Sequence, residues 1–261
     1  MITLTSAQLN AWIMLLVWPL ARILALIAAA PITGSQQFPV IAKIGLAVLL
    51  ATLVAPTLPA PPAVDPGSLA AVILLAREIL LGVGMGIAMR VVFAGVSMAG
   101  DVIGLQMGLG FAQFYDAQTS AQVPVIGQFL GLLATLVFLS LNGHLLLIAA
   151  LVDSFHGVPL DSATTLTQSM LAFTLWGGMI MQAAVLLSLP LIAALLITNA
   201  ALGVLSRAAP QLNIFAIGFP ITIITGFIVL LLTLPYLIPA FEGLFELGLQ
   251  AMSRGASSIP R

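Results

Sequence analysis

The sequence predicts an all-α fold, an integral membrane or membrane-complex helical protein, and three observations carry that reading. Of its 261 residues 61% are hydrophobic and only 6% are charged, where an ordinary soluble domain carries about 25% charged residues. No charged residue stands between Asp161 and Arg207, nor between Arg207 and Glu242, and either interval holds the roughly 20 apolar residues that a spanning helix needs. The breaks between the apolar runs are turn chemistry, and no stretch has the composition of a separate soluble domain.

About six long, partly kinked hydrophobic segments follow one another, at roughly 9–30, 40–56, 69–99, 125–151, 171–205 and 214–240, with an amphipathic tail from Phe241 to Met252. The first superficially resembles a secretory signal. It has no basic residue ahead of its apolar core, it carries Arg22 inside that core, and Pro31 stands where a cleavable bond should be. It is therefore expected to stay in the mature chain. "APITGSQQFP" breaks the first segment from the second, and the proline-rich "APTLPAPPAVDPGS" the second from the third. The third, 31 residues from Leu69 to Ala99, would run about 46 Å as one helix against a hydrocarbon core of about 30 Å. Helices of this length must tilt, bend or protrude. "DSFHGVPLDSATT" separates the fourth from the fifth and "SRAAPQLN" the fifth from the sixth. Pro19, Pro190, Pro220, Pro235 and Pro239 lie inside apolar stretches, where each removes a helical hydrogen bond and invites a kink.

Composition also excludes function classes. The formal net charge is −1 and the basic residues are scattered singly, so the footprint of a nucleic-acid partner is missing. Cysteine is absent, which removes disulfides, thiolate metal sites and cysteine nucleophiles together. His144 and His156 stand twelve residues apart with Asp153 nearby, too few ligands at the wrong spacing for a metal site. "NGHLLL" reads more easily as a capped helix start. Neither a Gly-x-Ser-x-Gly nucleophile turn nor a glycine-rich loop ending in Lys-Ser or Lys-Thr occurs. No catalytic residue, metal or cofactor is expected.

Two residue sets stand out. Gly100, Gly104 and Gly108 form a ladder at four-residue spacing, and Gly82 with Gly86 and Gly127 with Gly131 repeat it. On a helix such glycines line one face and let another backbone approach closely, within this chain or from a neighbouring subunit. The ionisable residues inside apolar segments are Arg22, Arg77, Glu78, Arg90 and Asp101, each costing at least a few kcal/mol at a bilayer centre unless paired or wet. Adjacent Arg77 and Glu78 point about 100° apart and cannot share one partner, whereas Arg90 and Asp101 share a face three turns apart. A structural ion pair and a proton or ion relay both remain open.

Between the third and fourth segments lies "GLQMGLGFAQFYDAQTSAQVP", residues 104–124. Three glycines there precede Phe111, Phe114, Tyr115 and Asp116. Irregular backbone at membrane depth is tolerated only where it is buried in protein or lines a wet cavity. A solvated connector, a substrate-binding loop and a stopper in a passage are the three readings.

The stretch "TNAALGVLSRAAPQLNIFAIGFPITI", residues 198–223, carries a resemblance. With Asn199, Gly203, Arg207, Pro210, Gln211, Asn213, Gly218 and Pro220 it resembles the C-terminal signature of the FliR family of flagellar biosynthesis, equivalent to the SctT component of type III secretion export apparatuses. "RILALIAAAPITG", "REILLGVGMG" and "LNGHLLLIAALVDSF" extend the likeness over nearly the whole chain. One departure is Ala117 after Asp116, where many relatives place proline.

The resemblance implies a non-enzymatic, pore-forming subunit of a protein export gate in the bacterial inner membrane, at the flagellar basal body. One copy would assemble with several FliP-like and FliQ-like subunits and a FlhB-like protein, and unfolded substrates would pass through. Residues 1–170 would be the FliP-like part, with a plug loop at about 106–124, and 171–261 a FliQ-like helical hairpin. Phe111 and Phe114 would then stop the pore while Gly108 and Gly110 let the loop bend, with Tyr115 and Asp116 beside them. By the same likeness Arg207, with Asn199, Gln211 and Asn213 around it, would lie near the cytoplasmic entrance and the FlhB-like partner. The alternative within the residues alone is a capped turn anchored by Asn213 and Gln211, in which Arg207 satisfies helix C-terminal carbonyls. An injectisome gate, and a secondary transporter using Arg77, Glu78, Arg90 and Asp101, are the rival functions.

Overall fold

In a computed structural model the protein is described at residues 6–58, 64–110, 124–160, 171, 173–211 and 213–255. These residues form helices and their connections, with no strand among them. Helix α1 is Ser6–Ala29, with Pro19 inside it. Helix α2 is Val40–Val54, continued by a 3-10 turn at Ala55–Thr57. Pro56 stands in the first turn of that short helix, where its missing N–H leaves no bond unmade.

Helix α3, Leu69–Gln106, is continuous for 38 residues, about 57 Å. It overruns the expected end of the third segment because nothing between Ala99 and Gln106 breaks it: Asp101 and Gly104 are tolerated in a helix whose face is packed. The fourth apolar segment is two helices, α4 at Val125–Ser140 and α5 at Gly143–Gly157. Asn142 separates them with a φ of 56° and makes no side-chain cap bond to α5. The expected capped start is therefore corrected. Asn142 serves as a left-handed joint, a conformation asparagine tolerates better than most residues, and its carbonyl accepts the N–H groups of Leu145 and Leu146. Helix α6 is Met179–Ala208 and contains Pro190. Helix α7, Ile214–Gly255, runs 42 residues through Pro220, Pro235 and Pro239 and takes in the amphipathic tail.

Among the described residues four helical stretches are long and apolar enough to cross a membrane, the α4 and α5 pair makes a fifth if it is one span, and Leu15–Ala29 is a shorter apolar helix. These account for the six segments.

The chain divides into two compact units, neither contiguous in sequence. The first comprises Met1–Val91, Asn142–Gly177 and Phe245–Arg261. Its core holds Ile23, Leu26, Leu81, Met85, Leu151 and Phe155, with Trp18, Ala71, Leu74 and Leu160 as a satellite cluster. Helix α2 packs on α1 through Ala47, Ala51 and Val54 and leaves Ile41, Leu49 and Leu53 exposed. The second unit comprises Val92–Leu141 and Gly178–Leu244. Ile103, Met107, Leu130, Ala134, Leu191 and Leu195 are buried there, and Phe93 meets Phe138 edge-on with ring centroids 5.6 Å apart.

Burial is uneven. Within the apolar windows 61% of Leu69–Gln106 is buried, against 22% of Val40–Thr57 and 17% of Ala216–Gly255. Helix α3 is thus packed by protein on most sides, while α2 and α7 present mainly apolar side chains outward. Water makes such surfaces costly at about 25 cal/mol per Å², so lipid or other subunits must cover them.

Candidate functional site

The first compact unit gathers the charges buried deepest. Arg22 on α1 and Glu78 on α3 are both fully buried and joined by a 2.7 Å bond from Nε to Oε2. The rest of the guanidinium is used as well. Nη1 donates to the Ser154 carbonyl at 3.0 Å and to Ser154 Oγ at 3.2 Å, Nη2 donates to the Val158 carbonyl at 3.1 Å, and the group lies 4.3 Å from the centre of the Phe155 ring. Beside it, Arg77 Nη2 donates to the Pro159 carbonyl at 2.8 Å.

Sequence explains why these groups meet. Glycines at 82 and 86 of α3 let α1 approach so closely that an added Cβ would collide with the Arg22 carbonyl in the first case and lie 2.5 Å from Ala29 Cβ in the second. That contact brings Arg22 within reach of Glu78. Both arginines then reach the carbonyl end of α5 and the two residues after it, where the negative pole of the helix dipole favours cations. The set works as a clasp: Glu78 offsets one guanidinium charge, and three successive acceptors, Ser154, Val158 and Pro159, are held.

Arg90 lies exposed on α3 and makes no hydrogen bond or ion pair among the described residues. Asp101 is half-buried against α4.

The second unit holds the described base of the central stretch. Gly100 and Gly127 are in backbone contact: a Cβ on Gly100 would stand 2.5 Å from the Gly127 Cα. A Cβ on Gly127 would collide with Asp101 Oδ1 and lie 2.9 Å from the Ser97 carbonyl. Gly127 is in the first turn of α4, so the Asp101 carboxylate rests near that helix's positive end. The ladder is nevertheless not uniform. A Cβ on Gly104 would stand 3.8 Å from its nearest neighbour, the Ile126 side chain, so its smallness goes unused, and Gly108 is not helical at all.

Gly108 has a φ of 82°. The Leu109 N–H bonds back to the Gly104 carbonyl and the Gly108 N–H to the Leu105 carbonyl, both at 3.0 Å, the paired bonds of a Schellman helix stop. Gly108 thus ends α3 in a defined conformation. Helix α7 grips that end. Thr222 Oγ1 donates to the Met107 carbonyl at 3.3 Å, a Cβ on Gly226 would lie 2.5 Å from Met107 Cγ, and one on Gly108 3.3 Å from the Phe219 ring. Gly110 follows, with Leu105 against it. Phe111, Phe114, Tyr115 and Asp116 lie outside the described residues.

The C-terminal signature is exposed in this unit. Asn199, Arg207, Gln211 and Asn213 are all at the surface. Asn213 caps α7, its carbonyl and side chain accepting the Ala216 N–H at 3.0 and 3.4 Å. Arg207, in the last turn of α6, makes no hydrogen bond among the described residues, while the Asn213 anchor of the capped-turn alternative is present. Gly203, one turn earlier, has open space where a Cβ would be.

Sequence reasoning missed Ser154, Phe155, Phe219, Thr222 and Gly226. Gly226, a small residue within an apolar run, was the available signal, and the others have none. His144 is exposed and His156 Nδ1 lies 3.3 Å from the Val152 carbonyl, and the described residues contain no group of three metal-ligating side chains.

Comparison with known proteins follows the chain almost end to end. Residues 13–248 match the model of the family described as bacterial export proteins, family 1. The chain is 43% identical over 246 residues to the flagellar biosynthetic protein FliR of Escherichia coli strain K12, covering 94% of each. The protein of the same name from Pectobacterium carotovorum is also 43% identical over 246 residues, with 94% of each covered. That of Bacillus subtilis strain 168 is 32% identical over 235 residues, covering 88% of this chain and 90% of the relative.

Proposed function

The chain belongs to bacterial export protein family 1, and from that membership we propose that it is a structural, pore-forming subunit of the flagellar type III protein export gate, non-enzymatic and seated at the bacterial inner membrane. The observation that carries the reading is 43% identity over 94% of both chains with a flagellar biosynthetic protein FliR. Coverage at that level leaves no room for a different domain in place of a shared one. The relatives are named for the flagellum, which favours it over an injectisome.

The partners are FliP-like and FliQ-like subunits and a FlhB-like protein, with unfolded flagellar proteins as the cargo. Support comes from the outward-facing apolar surfaces of α2, α6 and α7 and from the exposed face of α6 that bears Asn199, Gly203 and Arg207. Small and polar residues on an otherwise apolar helix are what helix–helix contacts in membranes use. In this reading residues 1–170 act as the FliP-like part, 171–261 as the FliQ-like hairpin, and the segment of about 106–124 closes the channel with Phe111 and Phe114. The seam at Gly100 and Gly127 and the helix stop at Gly108 then lie at the base of that segment.

A clean, non-polar deletion of the gene is expected to abolish flagellar filaments, with a plasmid copy restoring them and tagged protein bringing down FliP-like and FliQ-like subunits. A deletion strain that swims normally refutes the assignment, and a purified homodimer with small-solute flux assigns a transporter instead. For the closing segment, Phe111→Ala with Phe114→Ala is expected to raise ion leakage in an assembled complex; a double variant as tight as wild type removes that part.

A further inference from the structure

Helix α3 has one side that its own chain leaves open. In the first compact unit this stripe runs through Ile73, Ala76, Leu80, Val83, Ile87 and Arg90, all exposed or half-exposed. Between Leu81 and Val91 no other position of the helix is open. We propose that the stripe is covered by one helix of a different membrane polypeptide, which sets an aspartate or glutamate against Arg90. The proposal rests on the reading of the chain as a subunit of a membrane assembly, and adds to it a docking face and the chemistry of what docks there.

The width of the stripe points to a helix. Successive open positions are three, four, three, four and three residues apart, the alternation that keeps one line of side chains facing a single neighbouring helix. From Ile73 to Arg90 it runs about 26 Å, close to the thickness of a hydrocarbon core. The other sides of α3 are already taken. A Cβ on Gly82 would collide with the Arg22 carbonyl, one on Gly84 would lie 2.5 Å from the Phe173 ring, and one on Gly86 2.5 Å from Ala29 Cβ.

Arg90 decides what that helix carries. It makes no hydrogen bond or ion pair among the described residues, and the eleven residues before it on α3 and the ten after it carry no charge. A guanidinium set among apolar side chains in a membrane needs a partner or water, and a carboxylate offers the paired acceptors that its fork fits. A lipid phosphate fits the surroundings less well. At a headgroup boundary side chains turn from apolar to polar or to an aromatic belt, whereas Ile79–Met89 on one side of Arg90 and Val91–Val96 on the other are apolar throughout. A second copy fails on charge. Every copy inserts in the same direction, so its α3 would lie parallel and bring Arg90 to Arg90 at one depth, a like-charge contact.

The test places a photo-reactive phenylalanine derivative at Ile87, and separately at Ile41 on the outward face of α2, in the full-length protein in native membranes. Ile87 is expected to give an adduct with a different polypeptide, at a segment with an aspartate or glutamate inside an apolar run. Arg90→Leu is expected to weaken retention of that polypeptide about thirtyfold, the lower end for truncating one side of a buried charge pair, and Arg90→Lys to keep part of it. Protease resistance of the Arg90→Leu chain itself is expected to stay unchanged, since Arg90 makes no bond within it. Arg90→Glu combined with lysine at the partner's acidic position is expected to restore the complex. An Ile87 adduct with a second copy, with lipid alone or with a segment lacking an acidic residue overturns the proposal, and so does an Arg90→Leu complex as tight as the parent. The chain has no cysteine, so Ile87→Cys gives a single thiol; its rapid modification by a charged, membrane-impermeant reagent in the assembled complex makes the stripe the wall of a wet passage and overturns the proposal too. Polypeptide adducts at Ile41 with none at Ile87 remove the docking face and leave the assembly standing, whereas no adduct at either position removes both.

Discussion

Replacing Arg22 with alanine tests the clasp most severely. The substitution leaves the Glu78 carboxylate fully buried without its cation, takes donors from the Ser154 and Val158 carbonyls, and removes the guanidinium from the Phe155 ring. Breaking a buried pair from one side costs about 3–5 kcal/mol, or roughly two to three and a half orders of magnitude in the folding equilibrium. The Ser154 carbonyl keeps its bond from the Val158 N–H at 2.9 Å, so the loss there is partial. Val158 loses its guanidinium donor, at about 1–3 kcal/mol for an unsatisfied buried acceptor. The double variant Arg22→Met with Glu78→Leu removes both charges and fills the space. It is expected to be more stable than Arg22→Ala by about 2 kcal/mol, because an isolated buried charge, and not the loss of attraction, makes up most of the single-variant cost. Thermal unfolding in detergent, followed by protease resistance, with the single variants of both residues completing a cycle, measures this. A double variant destabilised by the sum of its two singles would show that Arg22 and Glu78 do not act as a unit, and the reasoning would fail.

Three further outcomes follow from the geometry. Gly127→Ala is expected to cost about 1–3 kcal/mol by overpacking, since its Cβ meets Asp101 and Ser97, whereas Gly104→Ala, with 3.8 Å of clearance, is expected to be neutral or to gain up to about 1 kcal/mol of helix propensity; equal thermal stability of the two variants would contradict the seam. Gly108→Ala is expected to lose about 1–2 kcal/mol because its φ of 82° is a left-handed conformation, and a stability unchanged within error would rule out the helix stop. Ser97→Cys with Gly131→Cys is expected to form a disulfide under mild oxidation, as a Cβ on Gly131 would stand 3.1 Å from Ser97 Oγ in a protein with no other cysteine; failure to cross-link, read by mobility on a non-reducing gel, would separate α3 from α4 at that level.

Legibility in the sequence varied by kind of feature. The apolar segments could be read with turn breaks near their places, because a helix that must hide its backbone amides in an apolar setting needs a long uncharged run, and such runs are visible one residue at a time. Gly82 and Gly86 could be read as close-approach positions, and α1 fills that role. The glycine ladder was only half legible. Four-residue spacing describes a face as long as the helix continues, and α3 stops between Gly104 and Gly108. The two glycines in "MGLG" were an available stop signal, since a glycine just past the last helical turn adopts positive φ without a Cβ penalty. Asn142 was read as a cap from its residue type alone, but whether its side chain bonds the next helix depends on a backbone dihedral that only the packed chain fixes.

What the sequence by itself determined is the class of the protein: helical, apolar, built without thiols, and of the bacterial export family through a signature whose residues are mostly exposed. Such features are written locally, in composition, spacing and residue identity. The tertiary structure decided which charges meet. Arg22 and Glu78 are 56 residues apart in sequence and Arg22 and Val158 136 apart, and no periodicity within either segment encodes the axial register between them. That register is set where Gly82 and Gly86 admit the backbone of α1, a contact between two surfaces and so a property of the packed pair rather than of either strand of sequence. The same holds for Met107 and Gly226 and for Phe173 against Gly255: each residue's chemistry was plain from its letter, and its partner came from how closely two helices can approach.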